Sequence, residues 1–125
     1  MIVDFLGNYP IVQEIDDDNW RLVAPFTAYV KSDDGTGRTI TVPQLFETDF
    51  ASAPRIPFIF AKFGNRAHRP AVLHDFLYSE GGTEDDRQYA DHVLLAACIA
   101  DGMDSSDAHM IYDAVREFGG SHWKT

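Results

Sequence analysis

The chain has 125 residues, 45% of them hydrophobic, with nine Phe, five Tyr and two Trp, enough for one self-supporting core and little room for a second. Twenty acidic against ten basic residues leave a formal charge of −10, which argues against a nonspecific nucleic-acid surface and against a basic face for anionic membranes. The lone Cys98 rules out an internal disulfide, no apolar run approaches the roughly 20 residues of a membrane helix, and Met1 to Gly7 lacks the basic start and apolar core of a signal peptide.

The first 45 residues read as strands. Trp20-Arg21-Leu22-Val23 is followed, after Pro25, by Phe26 to Lys31, where Phe26, Ala28 and Val30 alternate with Thr27, Tyr29 and Lys31 in the period of a half-buried strand. Ser32-Asp33-Asp34-Gly35-Thr36-Gly37 has turn composition, and the β-branched run Arg38 to Val42 returns as the second arm of a hairpin. Asp16-Asp17-Asp18-Asn19 is another turn; it lacks the glycine and the distal glutamate of a calcium-binding EF-hand loop.

Residues 46–69 are expected to be irregular, because Pro43, Pro54, Pro57 and Pro70 fix local turns and forbid long helices. Thr48 to Arg55 lies here, with short polar side chains suited to holding a loop in one shape; Asp49 is a candidate turn cap, arginine partner or site residue. Lys62, Arg66, His68 and Arg69 are the only candidate basic patch, read first as a solvated loop that balances nearby acids.

Residues 70–119 read as three helices. Pro70 starts the first, Ala71 to Tyr78, and Gly81-Gly82 stops it. Thr83 caps the second, whose first turn carries three acids, with Val93, Leu94, Ala97 and Cys98 on adjoining faces. Cys98 is expected as a small buried residue, since no basic group adjoins it to make a reactive thiolate. The third runs from Asp104-Ser105-Ser106 to Phe118, with Met110, Ile111, Ala114, Val115 and Phe118 at helical spacing, and Gly119-Gly120 ends it. Strands, an irregular segment and then helices make an α+β fold, with residues 1–125 as one domain.

The candidate chemistry sits on the first two helices. Their short connection implies antiparallel packing. His74 lies about seven residues before the Gly81-Gly82 turn and Asp91 about nine after, so their heights differ by roughly 3 Å at the helical rise, and the two side chains can meet. Asp91 can then hold one imidazole nitrogen and leave the other as a base. Asp75 points about 100° away from His74 and is a candidate ligand for a cation; Tyr78 is one turn beyond His74; Arg87 is one turn before Asp91, and a pair between those two is the simplest role for both. Equally, a His–Asp contact between helices can merely satisfy two half-buried polar groups. His68 could line the site from the preceding loop, whereas His92, His109 and His122 are expected to be exposed or locally bonded.

Four motifs occur in order: Thr48-Asp49-Phe50-Ala51-Ser52-x-Pro54-Arg55, His74-Asp75-x-Leu77-Tyr78, Arg87-x-x-Ala90-Asp91 and Tyr112-x-Ala114-Val115-Arg116-x-Phe118-Gly119. With them the chain resembles, from about Trp20 to Trp123, a small phage- and prophage-borne family of unknown function. The resemblance implies a viral or prophage origin, with the protein in the host cytoplasm during infection or in the virion, and no particular reaction. Ala53 departs from the family's more usual valine. Locally, His-Asp-x-x-Tyr followed by Ala-Asp is similar to the catalytic helices of phospholipase A2 enzymes. That likeness implies that His74 activates water, Asp91 orients it and Asp75 binds calcium, although neither the glycine-rich calcium loop nor the disulfides of those enzymes are present.

Two functions follow as expectations. One is a small hydrolase acting on a bacterial envelope component, with His74 and Asp91 catalytic, Asp75 and Asp49 holding a divalent metal such as calcium or zinc, and Tyr78, Arg87 and Arg55 in support. The other is a non-catalytic virion accessory, assembly or host-interaction protein, with a structural His–Asp contact and an apolar patch drawn from Phe58, Phe60 and Trp123. The partner is an unknown substrate or a phage or host protein, not a nucleic acid.

Overall fold

The computed structural model describes residues 1–7, 10, 12–16, 19–48 and 68–124. Among these residues, two small antiparallel sheets from the N-terminal part meet three helices from the C-terminal part, an α+β arrangement.

The first sheet has the order β1 (Ile2–Leu6), β4 (Phe26–Lys31), β5 (Gly37–Val42). The β4–β5 hairpin pairs Phe26 with Val42, Ala28 with Ile40 and Lys31 with Gly37, while β1 adds Val3 opposite Val30 and Phe5 opposite Ala28. That register puts Val3, Phe26, Ala28, Val30, Ile40 and Val42 on one buried face, as the two-residue period requires. Phe5 stacks on Phe26 at 5.9 Å between centroids. The second sheet joins β2 (Val12–Glu14), β3 (Trp20–Leu22) and the two-residue β6 (Glu47–Thr48). The expected irregular segment therefore begins with a short strand, and Thr48, only 2% exposed, brings it against the first helix.

The helices are α1 (His68–Glu80), α2 (Glu84–Ala100) and α3 (Ser105–Phe118), followed by a 3₁₀ turn (Gly119–His122). The first helix begins at His68, two residues before Pro70, a position that leaves proline within the first turn, where its missing N–H costs no helical hydrogen bond. Ala71, Val72, Leu73, His74, Leu77 and Tyr78 are all buried, because α1 is packed by both sheets and by α2 rather than on one stripe. Thr83 caps α2 as expected: its hydroxyl accepts from the Asp86 amide and the Asp86 carboxylate accepts from the Thr83 amide, a reciprocal capping box.

The two α2 faces read from the sequence divide between two clusters. Val93 and Ala97 join the core under the first sheet, whereas Leu94 and Cys98 face α3 with Met103, Ala108, Ile111 and Val115. Burial pushes the Cys98 thiol up to about 12, so it behaves as a small apolar residue. On α3 the apolar stripe is narrower than expected: Ile111 and Val115 are buried, but Met110 and Phe118 stand 41% and 49% exposed. The spacing of those two residues is helical, but among the described residues α2 is the main element that packs against α3, and it meets only one side of the helix. Among the described residues no helix is long and apolar enough to cross a membrane.

Candidate functional site

The antiparallel pairing of α1 and α2 brings His74 and Asp91 together at the height that their distance from the Gly81-Gly82 turn implies: Nε2 of His74 lies 2.7 Å from Oδ1 of Asp91. Asp91 is 0% exposed and His74 2%. The same Oδ1 accepts from the Tyr78 hydroxyl at 2.7 Å, and Oδ2 accepts from Nη1 of Arg116 at 2.7 Å. Tyr78, one turn beyond His74, also stacks obliquely on the imidazole at 4.2 Å between centroids. One carboxylate on α2 thus binds two groups from α1 and one from α3.

The expected Arg87–Asp91 pair is not what forms. Arg87 donates through Nε to the Tyr78 hydroxyl at 3.2 Å and through Nη2 to the carbonyls of Val115 and Arg116 at 2.9 and 3.0 Å. Two physical reasons favour this exchange. A base four residues N-terminal to an acid is the weaker order for an ion pair on a helix. The carbonyls of the last turn of α3, among which Val115 already accepts from the Gly119 amide, carry the negative end of its dipole and attract a guanidinium. Arg116, in the last turn of α3, takes the place beside Asp91 and extends the network to Glu84 at 2.6 Å. Arg116 is the site residue that helix spacing within one hairpin could not find; its signals were a base in the terminal turn of α3 and its place in the fourth motif.

Two carboxylates, Asp91 and Glu84, face two guanidinium groups, Arg87 and Arg116, so the cluster balances with His74 neutral. Burial drives the His74 imidazole below its ordinary value; the Asp91 contact opposes this and the Arg87 charge adds to it. The neutral ring then donates Nε2–H to Asp91. Burial alone would raise the Asp91 carboxyl, but hydrogen bonds from His74, Tyr78 and Arg116 outweigh it and hold the group below the usual carboxylate range. Burial, then the Asp91 carboxylate, push the Tyr78 phenol up. The pH dependence follows. The unfolded imidazole titrates near 6.5 and the unfolded carboxyl near 3.9, and both folded values lie lower, so both contributions are present above those values and are lost as pH falls through the folded ones. The urea midpoint should therefore be flat from about pH 8 to 7, decline below about 6.5 through His74, and decline again below about 4 through Asp91. Equilibrium unfolding across that range checks it: His74→Gln should flatten the decline that begins below about 6.5, and an unchanged slope would remove His74 from the account.

The other expected residues separate from this cluster. Asp75 is half-buried on the next step of α1 and is itself partnered, and among the described residues no three His, Cys, Asp or Glu side chains come together as a metal-binding group. Asp49 and Arg55 lie outside the described residues, as do Phe58, Phe60, Lys62 and Arg66 and the side chains of His68 and His122. Arg69 is no part of a free basic patch, since its Nε bonds Asp101 at 2.8 Å and its guanidinium lies over the Phe5 ring. His92 bonds the Tyr112 hydroxyl at 3.2 Å and stacks on its ring; His109 Nδ1 donates to the Ser105 carbonyl at 2.7 Å, so both are locally satisfied as expected. Trp123 is half-buried, edge-on against Tyr78. Clefts of about 460 and 290 Å³ flank Ser32, bordered by His92 and Leu95 and by Arg38 and Tyr89 respectively; neither is lined by His74 or Asp91.

The family described as "Protein of unknown function (DUF1353)" matches residues 20–115, from β3 to near the end of α3. No curated protein and no solved structure matches the chain.

Proposed function

The chain belongs to the DUF1353 family, and we propose that it is a phage or prophage protein without catalytic activity, a virion accessory, assembly or host-interaction factor in which the His74–Asp91 contact is a structural clamp. The observation that supports this reading is the completeness of the bonding around Asp91: the carboxylate is 0% exposed, both oxygens are used, and the donors come from α1 and α3. A group bonded in this way ties three helices together, and it leaves His74 neutral and closed to water. Phage origin is supported by the four ordered motifs.

A second reading is favoured by one observation, the 2.7 Å contact between Nε2 and a carboxylate immobilised by two further donors. That is how a general-base histidine is oriented. Here the protein is a small hydrolase of a bacterial envelope component, His74 takes a proton from water, Asp91 orients the ring, and Asp75 with Asp49 supplies ligands to a calcium or zinc ion.

His74→Gln separates the two. Glutamine can donate to Asp91 from the position of Nε2 but cannot act as a base. The clamp reading expects the variant to fold and the phage or prophage carrying it to keep its fitness; the hydrolase reading expects it to fold and the fitness to be lost.

A further inference from the structure

The network is closed on one side by the chain that follows α3. From Gly119 the backbone turns through the 3₁₀ segment, crosses the α1–α2 connection and places Trp123 edge-on to Tyr78 at 5.0 Å between centroids. Tyr78 is the ring that stacks on His74. Among the described residues three hydrogen bonds tie the crossing chain to the α1–α2 hairpin. The Trp123 indole N–H donates to the Gly82 carbonyl at 3.1 Å, the Gly82 amide donates to the Lys124 carbonyl at 3.0 Å, and the Lys124 amide reaches the Tyr78 carbonyl at a long 3.4 Å.

Glycines make the crossing possible. Gly81 has φ +73°, and a Cβ there would come within 1.9 Å of the Lys124 carbonyl oxygen. A Cβ on Gly119 would lie 2.9 Å from the Tyr78 hydroxyl oxygen. Both ends of the segment are shaped for close approach, while Ser121 and Lys124 are exposed and Trp123 is half-buried. Among the described residues these hydrogen bonds and the Trp123–Tyr78 ring contact join the strap to the α1–α2 hairpin, whereas the helices beneath it share the buried clusters around Val93 and Leu94, which is the condition for opening separately from the fold.

We propose that residues 119–124 form a detachable strap over Tyr78, and that lifting it admits water to Tyr78 and His74 while the three helices stay packed. The device stands whichever role the His74–Asp91 pair plays; if the pair acts on a substrate, the strap is its gate.

Native-state hydrogen exchange on the unaltered protein tests separate opening. The amides of Gly82 and Lys124 should exchange on the order of 100-fold faster than those of Val93 and Leu94 in the middle of α2. Equal rates for the two sets would overturn the proposal. Trp123→Ala tests the covering role: the variant should stay folded, and deuterium exchange at the His74 ring C2 position should rise on the order of tenfold. A folded variant with unchanged His74 exchange would show that the strap is not the cover, and a variant that cannot fold would show that it is not detachable.

Discussion

Asp91→Ala should cost about 3–5 kcal/mol of folding stability, because it leaves two buried donors unsatisfied at about 1–3 kcal/mol each and removes one charged partner. The magnitude comes from what is left behind. His74, 2% exposed, loses the acceptor of its Nε2–H, Tyr78, 1% exposed, loses the acceptor of its hydroxyl, and Nη1 of Arg116 loses its carboxylate. Arg116 is partly exposed and keeps Glu84, so its share is reduced by solvent, and most of the loss falls on the two buried groups. Domains of this size have about 5–15 kcal/mol in all, so the variant should be near the edge of folding at 37 °C. Urea unfolding at pH 7 measures the effect, and a loss under about 1 kcal/mol would mean that the network is not what joins the helices.

The second large effect is expected at Arg87. Arg87→Ala should cost about 2–4 kcal/mol, because the Val115 and Arg116 carbonyls and the Tyr78 hydroxyl lose a donor while the site stays buried. The aliphatic stem adds packing that alanine cannot replace. Arg87→Lys should recover only part of the loss: an ammonium cannot span Tyr78 on α1 and two carbonyls on α3 as a planar fork does. Denaturant midpoints for the two variants check this ordering; equal stability of Lys and wild type would show that charge alone, not the fork, is what α3 requires.

Much of the fold was legible because local rules and tertiary packing agree there. The β4 alternation survives because only one face of that sheet meets the helices, and Thr83 caps α2 because its partner Asp86 is three residues away. The meeting of His74 and Asp91 was legible because a short connection between antiparallel helices fixes relative height. What lay beyond reach depends on contacts distant in sequence. Arg116 reaches Asp91 across 25 residues and from another helix, and no local spacing shows which base will arrive. Arg87 lay at the right spacing for Asp91, yet bonds Tyr78 and the end of α3 instead. Met110 and Phe118 fit the helical period, but period gives a direction and not a neighbour, and no partner element covers them among the described residues. Trp123 went the other way: an aromatic expected at the surface docks on Tyr78 because the strap turns back over the α1–α2 connection.

On the clamp reading the His74–Asp91 contact holds the fold rather than performs chemistry. Its most direct test is the unfolding free energy of His74→Gln and His74→Ala, measured beside the fitness of the phage or prophage that carries each. The clamp account predicts that glutamine stays within about 1 kcal/mol of wild type, and alanine loses about 2–3 kcal/mol through an unsatisfied Asp91 and a cavity. It also predicts that fitness follows stability, kept with glutamine and lowered with alanine. A glutamine variant as stable as wild type that has lost all fitness would contradict it and place the chemistry at His74.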